Sequence, residues 1–185
     1  MNRAIERLIK DIAESKPIQR ELLALGWTQP ELESLFPKVS KEHSVSHDLS
    51  GHEKVVVYTD GACRGNPGPS SAGWVIEDSN GAIIAQAGVF LGTGTNNEAE
   101  YSAAILGLED AFQRGAREVR LRADSELMIK QLNGTYRVKN ERLKPLFGKL
   151  KEIIKKFDRI ELEHVKRHLN QAADEQANLA LDARR

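Results

Sequence analysis

Val55-Val56-Val57-Tyr58-Thr59-Asp60 is the stretch on which the reading of this chain turns. Four residues of high strand propensity run straight into a polar pair, so a buried strand ends on a carboxylate. The pattern returns at Val119-Arg120-Leu121-Arg122-Ala123-Asp124, where a strand over 118–123 again closes on an acid. If the two strands are parallel neighbours, both carboxylates leave the sheet at one carboxyl edge, where α/β sheets gather their sites.

Outward from these strands the pattern is mixed. Residues 72–78 read as a second strand, and Asn80-Gly81 is a strong hairpin signal that returns 82–91 antiparallel. A helix is expected over 96–115, with Tyr101, Ala104, Ile105, Leu108, Ala111 and Phe112 on its apolar face. A short helix over 125–132 follows. Leu143, Leu146, Phe147, Leu150, Ile153, Ile154 and Phe157 then keep helical spacing as one long amphipathic helix. A strand over 159–165 and an alanine-rich helix over 172–183 complete the string βββαβααβα, a mixed sheet with helices on its faces.

Residues 1–36 differ in texture. Ala4, Ile5, Leu8, Ile9 and Ile12 recur at helical spacing, a second short helix fits between Pro17 and Gly26, and Thr28-Gln29-Pro30-Glu31 reads as a capping box. The expected division is a small helical unit at 1–36, an aperiodic linker at 37–53 and an α/β domain at 54–185. The linker histidines His43, His47 and His52 read as solvated groups rather than a metal site. Trp27 reads as helix packing, and Trp74 as core.

Composition narrows the class. The 185 residues are 40% hydrophobic and 29% charged, a globular profile that excludes disorder throughout and collagen-like repeats. No apolar run is long enough to span a membrane. The acid-containing N-terminus does not read as a secretory signal, and the single cysteine, Cys63, forbids an internal disulfide and suits a reducing compartment. A cytoplasmic protein with no membrane partner is expected. Net charge is zero, which argues against a general polyanion binder, yet residues 137–159 carry nine Lys/Arg against three Asp/Glu. A solvated helix face is the simpler account of that stretch, and a phosphate-binding face the alternative.

Two further acids fall near the same edge: Glu100 in the early turns of the helix after the hairpin, and Asp174 at the opening of the last helix. Taken singly, each reads equally well as a helix cap or a surface group. Together, converging carboxylates would repel by roughly 3 kcal/mol per pair at about 6 Å in an effective dielectric of about 20. Cations make such a cluster tolerable, and hard oxygen ligands of this kind select Mg²⁺ or Mn²⁺.

The residues carry a close resemblance. Tyr58-Thr59-Asp60-Gly61-Ala62-Cys63-Arg64-Gly65-Asn66-Pro67-Gly68-Pro69 resembles the first motif of the type 1 ribonuclease H family. Thr95-Asn96-Asn97-Glu98-Ala99-Glu100-Tyr101 resembles its second, Ala123-Asp124-Ser125 its third, and 170–178 (NQAADEQAN) its fourth, all in the family's order. The resemblance implies a five-stranded sheet in the order 3-2-1-4-5 with strand 2 antiparallel. It further implies an endonuclease that cuts the RNA strand of RNA–DNA hybrids, leaving 3′-hydroxyl and 5′-phosphate ends. Asp60, Glu100, Asp124 and Asp174 would be the metal ligands, with Glu98 ranked below them. Two Mg²⁺ ions about 4 Å apart would act, one activating water and the other stabilising the leaving 3′-oxygen. Mn²⁺ is the expected substitute.

Asn66, Asn96, Asn97 and Ser125 match family positions that contact the hybrid. The three glycines of the turn at 61–68, Gly61 among them, would let backbone approach a sugar-phosphate chain. Asn96 reads also as a helix N-cap. The chain resembles the compact, archaeal-like branch: 132–143 joins two helices directly, without the basic protrusion of better-known members. The loop before Asp174 is short, and Arg167 is expected in place of the usual catalytic histidine, with His168 the competitor and an ion pair the structural alternative for Arg167. The first rival is another nuclease of the same superfold, an exonuclease or junction resolvase, and the exonucleases are disfavoured because Asp60-Gly61-Ala62 lacks their second acid. A non-catalytic binding module is disfavoured because no carboxylate is missing. A monomer is expected, with residues 1–36 either contacting a protein partner or packing on the catalytic domain.

Overall fold

The computed structural model describes residues 54–183. The expected helical unit at 1–36 and the linker at 37–53 lie outside the described residues. Five strands, β1 (Lys54–Cys63), β2 (Gly68–Glu77), β3 (Ile83–Gly94), β4 (Glu118–Ala123) and β5 (Arg159–His164), form one sheet in the order β3-β2-β1-β4-β5. β2 runs antiparallel to both neighbours, while β4 is parallel to β1 and to β5, as the resemblance implies. The helices are α1 (Asn96–Gln113), α2 (Glu126–Leu132), α3 (Leu143–Ile154) and α4 (Gln171–Asp182). A single 3₁₀ turn, Arg167–Leu169, precedes α4.

Register explains the placement of the acids. The β1–β4 ladder ends at Thr59 opposite Ala123, so Asp60 and Asp124 emerge side by side just beyond it. Val55, Val57, Leu121 and Val119 point into a core shared with Tyr101, Ile105 and Leu108 of α1 and Leu150 and Ile153 of α3. Burying each such side chain is worth about 1.5–3 kcal/mol. The opposite face of β1, β4 and β5 is polar and half-buried: Arg120 pairs with Glu161, Arg122 with Glu163, and Arg122 also donates to the Tyr58 hydroxyl at 2.7 Å.

Three elements differ from the sequence expectation. β2 begins at Gly68, four residues early, because 68–71 pairs with both β1 and β3 although its composition is turn-like, and Ser71 Oγ also donates to the Ala177 carbonyl of α4 at 2.6 Å. β1 continues through Gly61 to Cys63, past its acid. The apolar repeat in the third helix outruns the helix, which ends at Ile154. Phe157 is buried from the turn beyond, where Asp158 N–H already bonds to the Arg117 carbonyl to start the β5 pairing.

Two close approaches bring helices onto the site. A Cβ on Gly61 would lie 2.3 Å from the Glu100 nitrogen, so α1 rests directly on β1 beside Asp60. A Cβ on Gly73 would lie 2.3 Å from the Ala177 nitrogen, so α4 presses onto β2 and carries Asp174 toward the same edge.

Candidate active site

Asp60, Glu100 and Asp124 each offer a carboxylate oxygen to a cluster in which these atoms lie within 4.8 Å of one another. They line a cavity of about 240 Å³ together with Asp174, Asn96, Arg64, Arg167 and Asn178. Asp60 is held by the β1 register, Asp124 by the end of β4, Glu100 by the first turns of α1, and Asp174 by the first turn of α4. Four elements distant in sequence thus converge on one edge of the sheet.

The electrostatics are strained in one direction. Asp60 and Glu100 are only 5% and 6% exposed. Burial, then the charges of Glu100 and Asp124, push Asp60 up to about 9. Burial and the Asp124 charge push Glu100 up to about 8, although a Gly61 N–H and the Asn96 side chain, donating at 3.4 Å, oppose the rise. Glu100 Oε2 and Asp124 Oδ1 are buried and accept no hydrogen bond. Orphaned acceptors of this kind are costly unless something positive faces them. Buried carboxylate oxygens, hard and lacking donors, are the kind of ligand set that hard divalent cations take, so the residues present fit a divalent ion.

Asp174 is more open and already engaged. Arg167 Nη2 donates to its Oδ1 at 2.9 Å, and Asn178 Nδ2 to its Oδ2 at 3.0 Å. The Asp174 contact holds the Arg167 guanidinium still more firmly in its charged form. Arg167 lines the cavity with its side chain 79% exposed, whereas His168 is not among the lining residues. The ion pair weighed as the alternative for Arg167 is therefore present, and it is made to one of the acids of the site.

The proposed substrate contacts divide. Asn96 lines the cavity, and the Asn66 side chain accepts from the Asn96 backbone N–H at 3.2 Å, tying the β1–β2 turn to α1. Asn97 is exposed on the first turn of α1, and Ser125 is half-buried after Asp124; neither lines the cavity. Ser125 makes no side-chain cap bond to α2.

Several expectations need correction. The N-cap of α1 is Thr95, not Asn96: Thr95 Oγ1 accepts from Glu98 N–H while Glu98 Oε2 accepts from Thr95 N–H at 2.7 Å. This capping box occupies Glu98 and removes it from the ligand candidates. Gly61 lines the cavity, but the space its missing Cβ leaves is filled by α1 rather than left open to a sugar-phosphate chain. Within the basic stretch, Lys144, Lys149 and Lys155 pair with Glu141, Glu109 and Glu152, in keeping with a solvated face. Sequence reasoning passed over Arg64 and Asn178. The four-residue helical spacing of Asn178 from Asp174 was the available signal.

Comparison with known proteins agrees with this geometry. A family model described as "Reverse transcriptase-like" matches residues 58–180. The chain is 43% identical over 129 residues to ribonuclease HI of Halobacterium salinarum, an alignment covering 70% of this chain and 65% of that protein. It thus spans just under two thirds of that relative's length. The crystal structure of RNase H1 from Halobacterium salinarum superposes with a TM-score of 0.69 at 42% identity, covering 70% of this chain and 98% of that one. LC11-RNase H1, solved in complex with an RNA/DNA hybrid, gives a TM-score of 0.68 at 39% identity, covering 70% and 98%. With the sheet order, the four acids and these similarities in agreement, the chain belongs to the type 1 ribonuclease H family.

Proposed function

We propose that this chain is a metal-dependent endoribonuclease that hydrolyses the RNA strand of RNA–DNA hybrids, leaving 3′-hydroxyl and 5′-phosphate ends. The observation that carries the reading is the convergence of Asp60, Glu100 and Asp124 within 4.8 Å, two of them with orphaned buried oxygens. A similar protein, LC11-RNase H1, has been solved with an RNA/DNA hybrid bound. Asp60, Glu100, Asp124 and Asp174 would hold two Mg²⁺ ions, with Mn²⁺ as substitute. Bound there, the ions supply Lewis-acid polarisation of a phosphoryl oxygen and a water acidic enough to act as nucleophile near neutral pH.

The chain's own residues do the rest. Gly61 N–H and Asn96 Nδ2 orient Glu100, and Asn178 orients Asp174. Arg167, fixed by Asp174, presents its remaining guanidinium donors to the scissile phosphate or its leaving group. Asn66, Asn96, Asn97 and Ser125 offer uncharged donors and acceptors to the shallow minor groove, where 2′-hydroxyls distinguish RNA from DNA. Residues 54–185 form the catalytic domain in this reading, and residues 1–36 contact a partner or pack on it. The enzyme acts as a monomer in the cytoplasm, a reducing setting in keeping with its single cysteine.

Incubating the chain with labelled RNA–DNA hybrid, duplex DNA, duplex RNA and a DNA duplex holding one ribonucleotide, with and without Mg²⁺, tests this. Cleavage of the hybrid's RNA strand only with Mg²⁺ is expected. Intact hybrid at any divalent ion concentration would overturn the reading.

A further inference from the structure

The cavity faces a polyanion with four carboxylates, and its lining contains two cations, Arg64 and Arg167. Arg167 is committed to Asp174 inside the cluster. Arg64 is placed otherwise. It follows β1 directly, four residues past Asp60, which at about 3.3 Å per residue sets it roughly 13 Å along the strand direction from that acid. Its backbone is fixed: Arg64 N–H bonds to the Pro69 carbonyl at 2.9 Å, and its own carbonyl packs so closely on Gly68 that a Cβ there would lie 2.0 Å away. The side chain is exposed, and its guanidinium pairs with Asp182 in the last turn of α4, a residue 51% exposed. A rigid base carrying an arginine whose partner sits in solvent is poised to exchange, because exposed ion pairs contribute little and are readily screened.

We propose that Arg64 is a phosphate-binding residue for the polynucleotide. Its guanidinium leaves Asp182 for a backbone phosphate of the substrate, one removed from the scissile position. The inference rests on the proposed hybrid-cleaving function and adds a contact to it. A guanidinium fork matches two phosphate oxygens as well as it matches a carboxylate. Arg64 lies away from the reacting atoms, so the contact is equal in ground and transition states and acts on binding rather than on the chemical step. Asp182 then competes with the substrate for the same guanidinium.

The test uses the full chain and a labelled RNA–DNA hybrid, with kcat and KM measured at several salt concentrations between about 50 and about 200 mM. Arg64→Gln is expected to raise KM about five- to tenfold with kcat within twofold. It should also reduce the slope of log(kcat/KM) against log salt by about 0.9, one phosphate contact's share. Arg64→Lys should restore that slope, since it keeps the charge. Asp182→Asn should lower KM or leave it unchanged. If Arg64→Gln and Asp182→Asn instead raise KM alike and lower the melting temperature alike, the pair is a latch between the turn and α4, and the proposal is overturned. An unchanged salt slope in Arg64→Gln overturns it as well, while leaving hybrid cleavage by the wild type intact. A wild-type chain that neither binds nor cuts the hybrid overturns the functional reading and this contact with it.

Discussion

Asp60 sits where burial and the charges of Glu100 and Asp124 outweigh the Arg167 guanidinium and favour its neutral form. Replacing it with a neutral amide should therefore cost the fold nothing. Asp60→Asn or Asp124→Asn is expected to abolish Mg²⁺-dependent cleavage while metal-free thermal stability stays level or rises. Hybrid cleavage and melting in a chelator check both halves, and more than a few percent activity in both variants would sink the ligand assignment. Arg167 and His168 separate along similar lines. Arg167 lines the cavity and touches Asp174, so Arg167→Ala should lower turnover roughly ten- to a thousandfold, the range for losing one stabilising donor. His168→Ala should cost much less, being outside the lining. A larger loss at His168 in single-turnover assays would reverse the assignment.

Among the elements, α1 shows how packing makes a site. Glu100 reaches Asp60 only because Gly61 lets helix and strand touch, and Gly107 is similarly tight, a Cβ there lying 3.0 Å from the Thr59 methyl. Gly61→Ala is expected to destabilise the fold by about 1–3 kcal/mol, the usual cost of overpacking. It should also weaken Mg²⁺ binding by pushing Glu100 away, and calorimetric titration with denaturant melts measures both. Native-like metal affinity in a destabilised Gly61→Ala variant would show that Glu100 is not held by this contact. The end of β4 was legible because its alternating pattern stops at Asp124, and the hairpin because Asn80-Gly81 is turn chemistry, whereas the continuation of β1 past Asp60 to Cys63 was not, its residues being small and turn-like. Asp78 closes that hairpin turn by accepting from Asn80 and Ala82 N–H. The early start of β2 was not legible, since Gly-Pro-Ser-Ser resembles a loop until β1 and β3 are seen pairing with it. Thr95-x-x-Glu98 was legible as a capping box by the rule applied at Thr28, yet the neighbouring acid Glu100 drew Glu98 toward the metal. Arg64 had no signal, because its place on the cavity rim depends on α4 returning from over a hundred residues away.

For the whole molecule, the crowded carboxylates make stability depend on pH in an unusual sense. Asp60 and Glu100 titrate near 9 and 8 when folded, against 3.8 and 4.5 ordinarily. Between those limits the folded chain holds protons that the unfolded chain has released, so raising the pH favours unfolding. Their contribution is complete below the ordinary values and gone once pH passes the folded ones. The metal-free melting temperature is thus expected to fall from about pH 5 to about pH 9, with Asp60→Asn flattening the slope and excess Mg²⁺ stabilising more at the alkaline end. Scanning calorimetry in chelator and in Mg²⁺ measures this; a melting temperature that climbs over that range would contradict it. The sheet's far side carries a different consequence. Among the described residues β5 pairs with β4 along one side only, and its other side offers backbone groups that a strand from another chain would readily extend. Its half-buried Ile160 and Leu162 would reward such an addition, but Glu161 and Glu163, clamped to Arg120 and Arg122, make it bury a row of paired charges. The cross-strand ion pairs of β4 and β5 therefore make fibril-like growth from this margin cost the burial of paired charges, where an open hydrophobic edge would be rewarded for it.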